Sequence, residues 1–180
     1  YDYAGATAIA VVMLVAAFWR SHVAALILTL LGLAATLGLL FVAAGSEPRA
    51  VTSLFAMDTY ALFYIVVLAV GAGGVALLSY GYLDRLEVRP EEYYMLLLTA
   101  TLGGAALVAS THFASFFLGL EVLSVSLYAL IAYPLRRAQF IEAAVKYLVL
   151  AGATSAFLLF GILLAGAVVT GVLAPSYLRA

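Results

Sequence analysis

The sequence predicts an all-α integral membrane protein, a polytopic bundle of about six transmembrane helices. Of its 180 residues, 67% are hydrophobic and only 9% are charged, whereas soluble domains carry about 25% charged residues. The chain contains six long apolar runs, and a helix needs about 20 such residues to cross a bilayer. Because lipid offers the backbone no hydrogen-bond partners, continuous apolar runs of this length favour helices over alternating barrel strands.

The six predicted spans form one membrane domain over residues 1–180. In chain order, spans 1 to 6 cover residues 3–19, 23–44, 57–82, 93–110, 113–133 and 142–170. Short polar connections separate them. Span 6 is too long for one straight crossing, so Thr170 and Gly171 are expected outside the hydrocarbon.

The basic residues of the connections predict the orientation of the chain. The connections between spans 1–2, 3–4 and 5–6 hold five arginines, which are Arg20, Arg85, Arg89, Arg136 and Arg137. The opposite side holds Arg49 and Arg179. Since cytoplasmic loops carry the excess of Lys and Arg, the N-terminus is predicted outside and those three connections are predicted in the cytoplasm.

Glycines in spans 3 and 4 predict close helix packing. Gly71, Gly73 and Gly74 fall in span 3, and Gly103 and Gly104 fall in span 4. Small residues allow helix backbones to approach each other in lipid. The alternative interpretation is a flexible or broken helix.

Composition excludes several classes of site. The chain has no cysteine, so no disulfide, thiolate nucleophile or cysteine-ligated cluster is expected. His22 and His112 are far apart in the sequence, and no metal site is predicted. With a net charge of −1 and no basic patch, nucleic acid is not an expected partner.

The candidate residue with the strongest signal is Glu121, which lies inside apolar span 5. An ionised group at mid-bilayer costs about 2.5–3.5 kcal/mol on insertion scales, so a buried acid is expected to be used or satisfied. Ser124 and Tyr128 share its helix face at i+3 and i+7. These three groups can accept and donate protons or hold waters, which predicts a proton path. The alternative is a neutral acid that forms a hydrogen bond between helices.

Lys146 is the second candidate, and it is the only charge between Ala143 and Gly161. It is interpreted as a titrating lysine inside the bundle. Two alternatives are a local ion pair with Glu142, four residues earlier, and a side chain that extends to the cytoplasmic interface.

The predicted hairpin of spans 5 and 6 separates the two candidates. Glu121 lies about 20 Å from the turn and Lys146 about 10 Å, at 1.5 Å per residue. Any coupling between them is therefore expected to pass through water or a third group. His112, at the outer end of span 5, is a candidate proton relay. The alternative is an interfacial histidine without a role.

Residues 97–160 closely resemble the antiporter-like N subunits of bacterial NADH-quinone oxidoreductase, respiratory complex I. The specific strings are FLGLEVLSVSLYAL and EAAVKYLVLAGATSAFLLFG. The resemblance implies the first part of an antiporter-like fold of about fourteen helices in two inverted repeats. It maps the family's buried glutamate of the fifth helix onto Glu121, and a lysine of the sixth helix onto Lys146. The family pairs that glutamate chiefly with a lysine of a seventh helix, which these 180 residues lack.

The resemblance also implies partners, cofactors and location. It implies an enzyme subunit that couples quinone reduction to proton translocation, beside other membrane-arm subunits in the bacterial inner membrane. NADH, FMN, iron–sulfur clusters and quinone are expected elsewhere in the complex, with no cofactor in this chain. The alternatives are a subunit of a related cation/proton antiporter or membrane-bound hydrogenase, and a non-catalytic bundle that serves assembly.

Overall fold

The computed structural model describes residues 22–44, 49–50, 54–84, 90–133 and 138–177. This part of the chain contains five helices, namely α1 (His22–Ala44), α2 (Thr59–Asp84), α3 (Pro90–Ala109), α4 (Phe113–Ala132) and α5 (Ala138–Tyr177). They correspond to predicted spans 2 to 6. Span 1 lies outside the described residues, and the assignment of residues 1–180 to one domain stays a prediction.

All five described helices are long and apolar enough to cross a membrane. The helices also carry large hydrophobic side chains on their outer faces, including Phe41 (84% exposed), Leu78 (83%) and Phe157 (77%). A water-soluble protein would not leave so many such side chains uncovered. The prediction of an all-α, multi-pass membrane bundle is therefore confirmed.

Neighbouring helices in the sequence are also neighbours in space. α2 packs against α1 and α3, α4 packs against α3 and α5, and α1 also contacts α3. Four of the six buried residues of α2 are alanines, and such small side chains let helix backbones approach each other. One buried cluster comprises Leu33, Ala69, Ala72 and Leu98, and a second comprises Ala25, Ala76, Leu83, Tyr94 and Leu97.

The connection between α1 and α2 contains a short antiparallel pair that the sequence did not predict. Strand β1 (Arg49–Ala50) pairs with β2 (Ala56–Met57). The carbonyl of Leu54, just before β2, accepts hydrogen bonds from the Thr111 backbone N–H (3.0 Å) and the Ser115 hydroxyl (2.9 Å). The connection is thereby tied to the turn between α3 and α4, at the end of the bundle predicted to face outward.

Asp58 caps the first turn of α2. Its Oδ1 accepts a hydrogen bond from the Ala61 backbone N–H at 2.8 Å, which satisfies one of the unpaired donors at a helix start. We expect Asp58→Ala to lower the free energy of unfolding by about 1 kcal/mol. Thermal unfolding of the purified membrane protein in detergent would measure the loss. Asp58→Asn is the matched control, because asparagine also caps helices, and equal destabilisation by both changes would contradict the capping role.

The glycine prediction is confirmed in α3. Among the described glycines of α2, only Gly73 faces a neighbouring helix, and a Cβ added there would make an ordinary contact with Leu33 Cδ1 at 3.9 Å. A Cβ added at Gly103 would lie 2.6 Å from the backbone nitrogen of Leu123, and one added at Gly104 would lie 3.2 Å from Leu68 Cδ1. A Cβ added at Gly71 or Gly74 would meet no described atom within 4 Å. Close packing by glycine is thus concentrated where α3 meets its neighbours.

Candidate functional site

Glu121 lies near the middle of α4, as the ninth residue of a 20-residue helix. Its Oε1 atom is buried and has no hydrogen-bond partner among the described residues. Burial of a polar atom without a partner costs free energy, and more so for a charged group. A carboxyl group in this position can bind a proton or respond to a nearby charge.

The face of α4 opposite Glu121 lies directly against α3. A Cβ added at Gly119 would lie 2.7 Å from the backbone nitrogen of Leu107, so the two backbones are in contact there. Two residues on from Gly119, Glu121 is rotated by about 200° around the helix axis. The Glu121 side chain therefore leaves the helix on the side away from α3.

Ser124 and Tyr128 share this face of α4 with Glu121, as predicted. All three side chains are partly exposed in the described structure. The helix is continuous from Phe113 to Ala132, so the i+3 and i+7 spacing holds throughout. The structure thus retains the polar stripe, while a role of Ser124 and Tyr128 in proton transfer stays a prediction.

Lys146 forms an ion pair with Glu142 on the exterior of α5. Its Nζ donates a hydrogen bond to Glu142 Oε1 at 2.5 Å, and the side chains of Lys146 and Glu142 are 74% and 63% exposed. This arrangement is the local pair that the sequence left open as an alternative.

The face that α5 turns toward α4 does not include Lys146. Its more covered residues recur at spacings of three and four and are Phe140, Ala144, Tyr147, Ala151, Ser155, Leu158 and Ile162. Among the described residues, Lys146 is therefore placed away from the helix that carries Glu121. A role of Lys146 in proton transfer stays a prediction.

His112 is the N-cap residue of α4. Its backbone is extended, and its side chain forms no capping hydrogen bond. Its carbonyl accepts a hydrogen bond from the Phe116 N–H (3.0 Å), and it shares the one proton of the Ser115 hydroxyl (2.8 Å) with the Leu54 carbonyl. The side chain is exposed at the end of the bundle, about 13 Å along the helix from Glu121 at 1.5 Å per residue. Its role as a relay stays a prediction.

Sequence reasoning missed a cluster around His22 at the opposite end of the bundle. The His22 ring lies 4.5 Å from the Tyr80 ring and 6.0 Å from the Tyr94 ring, measured between centroids. Its Nδ1 is 3.9 Å from Asp84 Oδ1, and its Nε2 is 3.4 Å from the Tyr94 hydroxyl. The available signal was that all four residues lie near span ends on the predicted cytoplasmic side.

The cluster leads to a prediction about the packing of α1. We expect His22→Ala to destabilise the protein by more than Asp84→Ala does. The His22 side chain is 17% exposed and packs between rings, whereas Asp84 is 77% exposed, and exposed ion pairs contribute about 0–1 kcal/mol. Thermal unfolding in detergent would compare the two variants, and a larger loss for Asp84→Ala would contradict the packing role.

In the described part of the chain, no group of three or more His, Cys, Asp or Glu residues could hold a metal ion. The chemistry available near Glu121 is that of a carboxyl, a hydroxyl and a phenol. These groups can accept and donate protons.

Comparisons with known proteins match this region. The family described as "NADH:quinone oxidoreductase/Mrp antiporter, TM" matches residues 110–172, a range that includes both Glu121 and Lys146. NADH-quinone oxidoreductase subunit N of Nitrosospira multiformis is 51% identical over 152 residues, which cover 84% of this chain and 30% of that protein. Subunit N of Methylococcus capsulatus is 45% identical over 150 residues, which cover 83% and 30%.

A solved structure is similar in fold. A chain of respiratory complex I from Thermus thermophilus with bound aureothin matches with a TM-score of 0.76 and 31% identity, covering 91% of this chain and 36% of that one. The chain therefore spans about a third of the length of the relatives it matches. The predicted resemblance is confirmed.

Proposed function

Because the chain is related by sequence and fold to part of subunit N of bacterial NADH-quinone oxidoreductase, we propose that it belongs to a membrane subunit of such an enzyme. That subunit couples quinone reduction to proton translocation. The observation that carries the proposal is Glu121, a mid-helix acid whose Oε1 is buried without a described partner. It falls inside the region matched by the family.

In this proposal Glu121 acts as the charge-sensitive group of the subunit. Quinone reduction elsewhere in the complex changes charges along the membrane, and a buried carboxyl responds because its surroundings screen poorly. At an effective dielectric of 20, a charge about 8 Å away acts on it with about 2 kcal/mol. An outward proton costs about 2.3 kcal/mol per 100 mV of membrane potential, so an energy change of this size is useful for coupling.

Polar groups around Glu121 complete the proposed path. Ser124 and Tyr128 lie on its helix face toward the predicted cytoplasmic side, and water is proposed to link them. Lys146, with its charge balanced by Glu142, contributes a second group that can hold a proton. His112 lies at the outer end of the same helix and is proposed as an exit relay.

The remaining proposals concern the complex as a whole. This chain binds no NADH, FMN, iron–sulfur cluster or quinone, and its partners are other membrane subunits and the surrounding lipid. Its location is the bacterial inner membrane, with the N-terminus outside.

The experiment that tests the proposed function is removal and restoration of the full-length gene. Inside-out membrane vesicles from both strains would be supplied with NADH and a quinone, and proton uptake and NADH oxidation would be recorded together. We expect proton uptake per NADH oxidised to depend on the restored protein. Unchanged uptake in vesicles that lack it would overturn the proposal.

A cation/proton antiporter subunit is a second candidate, because the matching family also includes such antiporters. The two functions differ in what drives transport. Transport that needs sodium and proceeds without NADH would favour the antiporter, whereas proton uptake that follows NADH oxidation and is insensitive to sodium would favour the oxidoreductase.

A further inference from the structure

One glycine on each helix marks a place where the backbones of α3 and α4 come very close together. A Cβ added at Gly103 would lie 2.6 Å from the nitrogen and 3.0 Å from the Cα of Leu123. A Cβ added at Gly119 would lie 2.7 Å from the nitrogen and 3.0 Å from the Cα of Leu107, and 3.1 Å from the carbonyl oxygen of Gly103. The added Cβ at Gly103 would also lie 3.1 Å from Val122 Cγ1, a side-chain atom. The shortest distances at both glycines are to backbone atoms, so no change of side-chain rotamer relieves them.

The two close contacts lie on either side of Glu121 along α4. On α4 they fall at Gly119 and Leu123, and Glu121 is the residue midway between them. Ser115, Gly119 and Ser126 are buried on the contact face, and Glu121 projects from the opposite face. The depth and rotation of the carboxyl group are therefore set by how closely α4 lies against α3.

We propose that Gly103 and Gly119 are positioning residues for Glu121. By allowing backbone contact, they hold α4 at one depth and one rotation, and thereby aim the Glu121 carboxyl at its proton-transfer partners. This inference rests on the proposed role of Glu121 in proton translocation. Proton transfer is sensitive to such placement, because a misplacement of about 1 Å can cost about 100-fold in rate.

The first test is Gly119→Ala in the full-length protein within the assembled complex. Ordinary carbon contacts lie at about 3.5–4.0 Å, so the added methyl group moves the helices apart by roughly 1 Å. We expect NADH oxidation to continue while proton uptake per NADH falls severalfold. Gly103→Ala, the reciprocal change on α3, is expected to have the same effect.

The matched control is Gly104→Ala, on the same helix and next to Gly103. A Cβ there meets only the tip of the Leu68 side chain, at 3.2 Å, and this tip can rotate away. We expect normal assembly and proton uptake close to that of the unmodified protein. An equal loss of proton uptake in Gly104→Ala would overturn the inference, because it would show a general intolerance of added methyl groups in α3.

A labelling experiment measures the position of residue 121 without relying on pumping. The 180 residues contain no cysteine, so Glu121→Cys introduces one thiol whose modification by a maleimide can be located by peptide mass spectrometry. We expect Gly119→Ala to change the labelling rate at position 121 severalfold and Gly104→Ala to leave it unchanged. An unchanged rate in Gly119→Ala would overturn the inference.

The combined results separate this inference from the proposed function. If Glu121→Gln stops pumping but Gly119→Ala and Gly103→Ala pump normally, the positioning role is wrong and the function of Glu121 stands. If Glu121→Gln pumps normally, the proposed function is wrong, and labelling alone decides whether the glycines place residue 121. Loss of the assembled complex in both glycine variants would also overturn the positioning role, since the contact would then serve folding.

Discussion

Glu121→Gln should stop proton uptake in vesicles that still oxidise NADH. Glutamine keeps the size of the side chain and its capacity for hydrogen bonds but cannot ionise, so it removes the response to charge and leaves the packing of α4 intact. Loss of an interaction of about 2 kcal/mol corresponds to about a 30-fold slower step. We therefore expect proton uptake per NADH oxidised to fall by about tenfold or more.

The matched control for Glu121→Gln is Glu91→Gln, the same substitution in the first turn of α3. Assembly of each variant would be checked by native gel electrophoresis. Normal pumping in an assembled Glu121→Gln complex would make the buried acid a structural group. Loss of assembly, with pumping normal in the complexes that do form, would indicate the non-catalytic bundle that the sequence left open.

Lys146→Ala should reduce proton uptake severalfold, and removal of Glu142 at the same time should not restore it. The two side chains form an ion pair in the described structure, so Lys146→Ala alone leaves Glu142 without its counter-ion in an apolar helix. Glu142 is the fifth residue of α5 and its side chain is 63% exposed, so loss of this pair costs only about 0–1 kcal/mol. The double variant lacks both side chains and so does not leave Glu142 unpaired. Any loss of assembly that Lys146→Ala causes by leaving Glu142 unpaired is therefore absent from the double variant.

Proton uptake per NADH would be measured for Lys146→Ala, Glu142→Ala and the double variant, together with the amount of assembled complex. A role of Lys146 in proton transfer predicts low uptake in both variants that lack the lysine, and assembly recovered in the double variant. Normal uptake in the double variant would show that Lys146 serves only to balance Glu142.

The helices of the bundle could be predicted because their signal is local. Each span is a continuous apolar run. Such a run forms a helix in lipid because a helix satisfies its own backbone hydrogen bonds. The described helices correspond to spans 2 to 6, although α5 continues beyond the predicted end of span 6 to Tyr177. The β1–β2 pair was missed because two-residue strands in a polar connection carry no periodic signal.

The polar residues of the candidate site could also be predicted, because their spacing along a helix is a local signal. The shared face of Glu121, Ser124 and Tyr128 follows from the helical repeat alone. The Glu142–Lys146 pair was one of the predicted alternatives, since residues at i and i+4 lie side by side on any helix. Neither prediction required knowledge of which helix packs against which.

By itself, the sequence determined a multi-pass helical membrane protein, its resemblance to the N subunits of NADH-quinone oxidoreductase, and an acid in the middle of one helix. Only the tertiary structure decided which glycines bring backbones into contact, because a glycine in α2 and one in α3 look alike until the partner helix is known. Gly71 and Gly74 meet nothing within 4 Å, whereas Gly103 and Gly119 lie against the backbone of the opposite helix. Helix formation depends on neighbours in the chain, but contact between helices depends on which faces meet and at what depth.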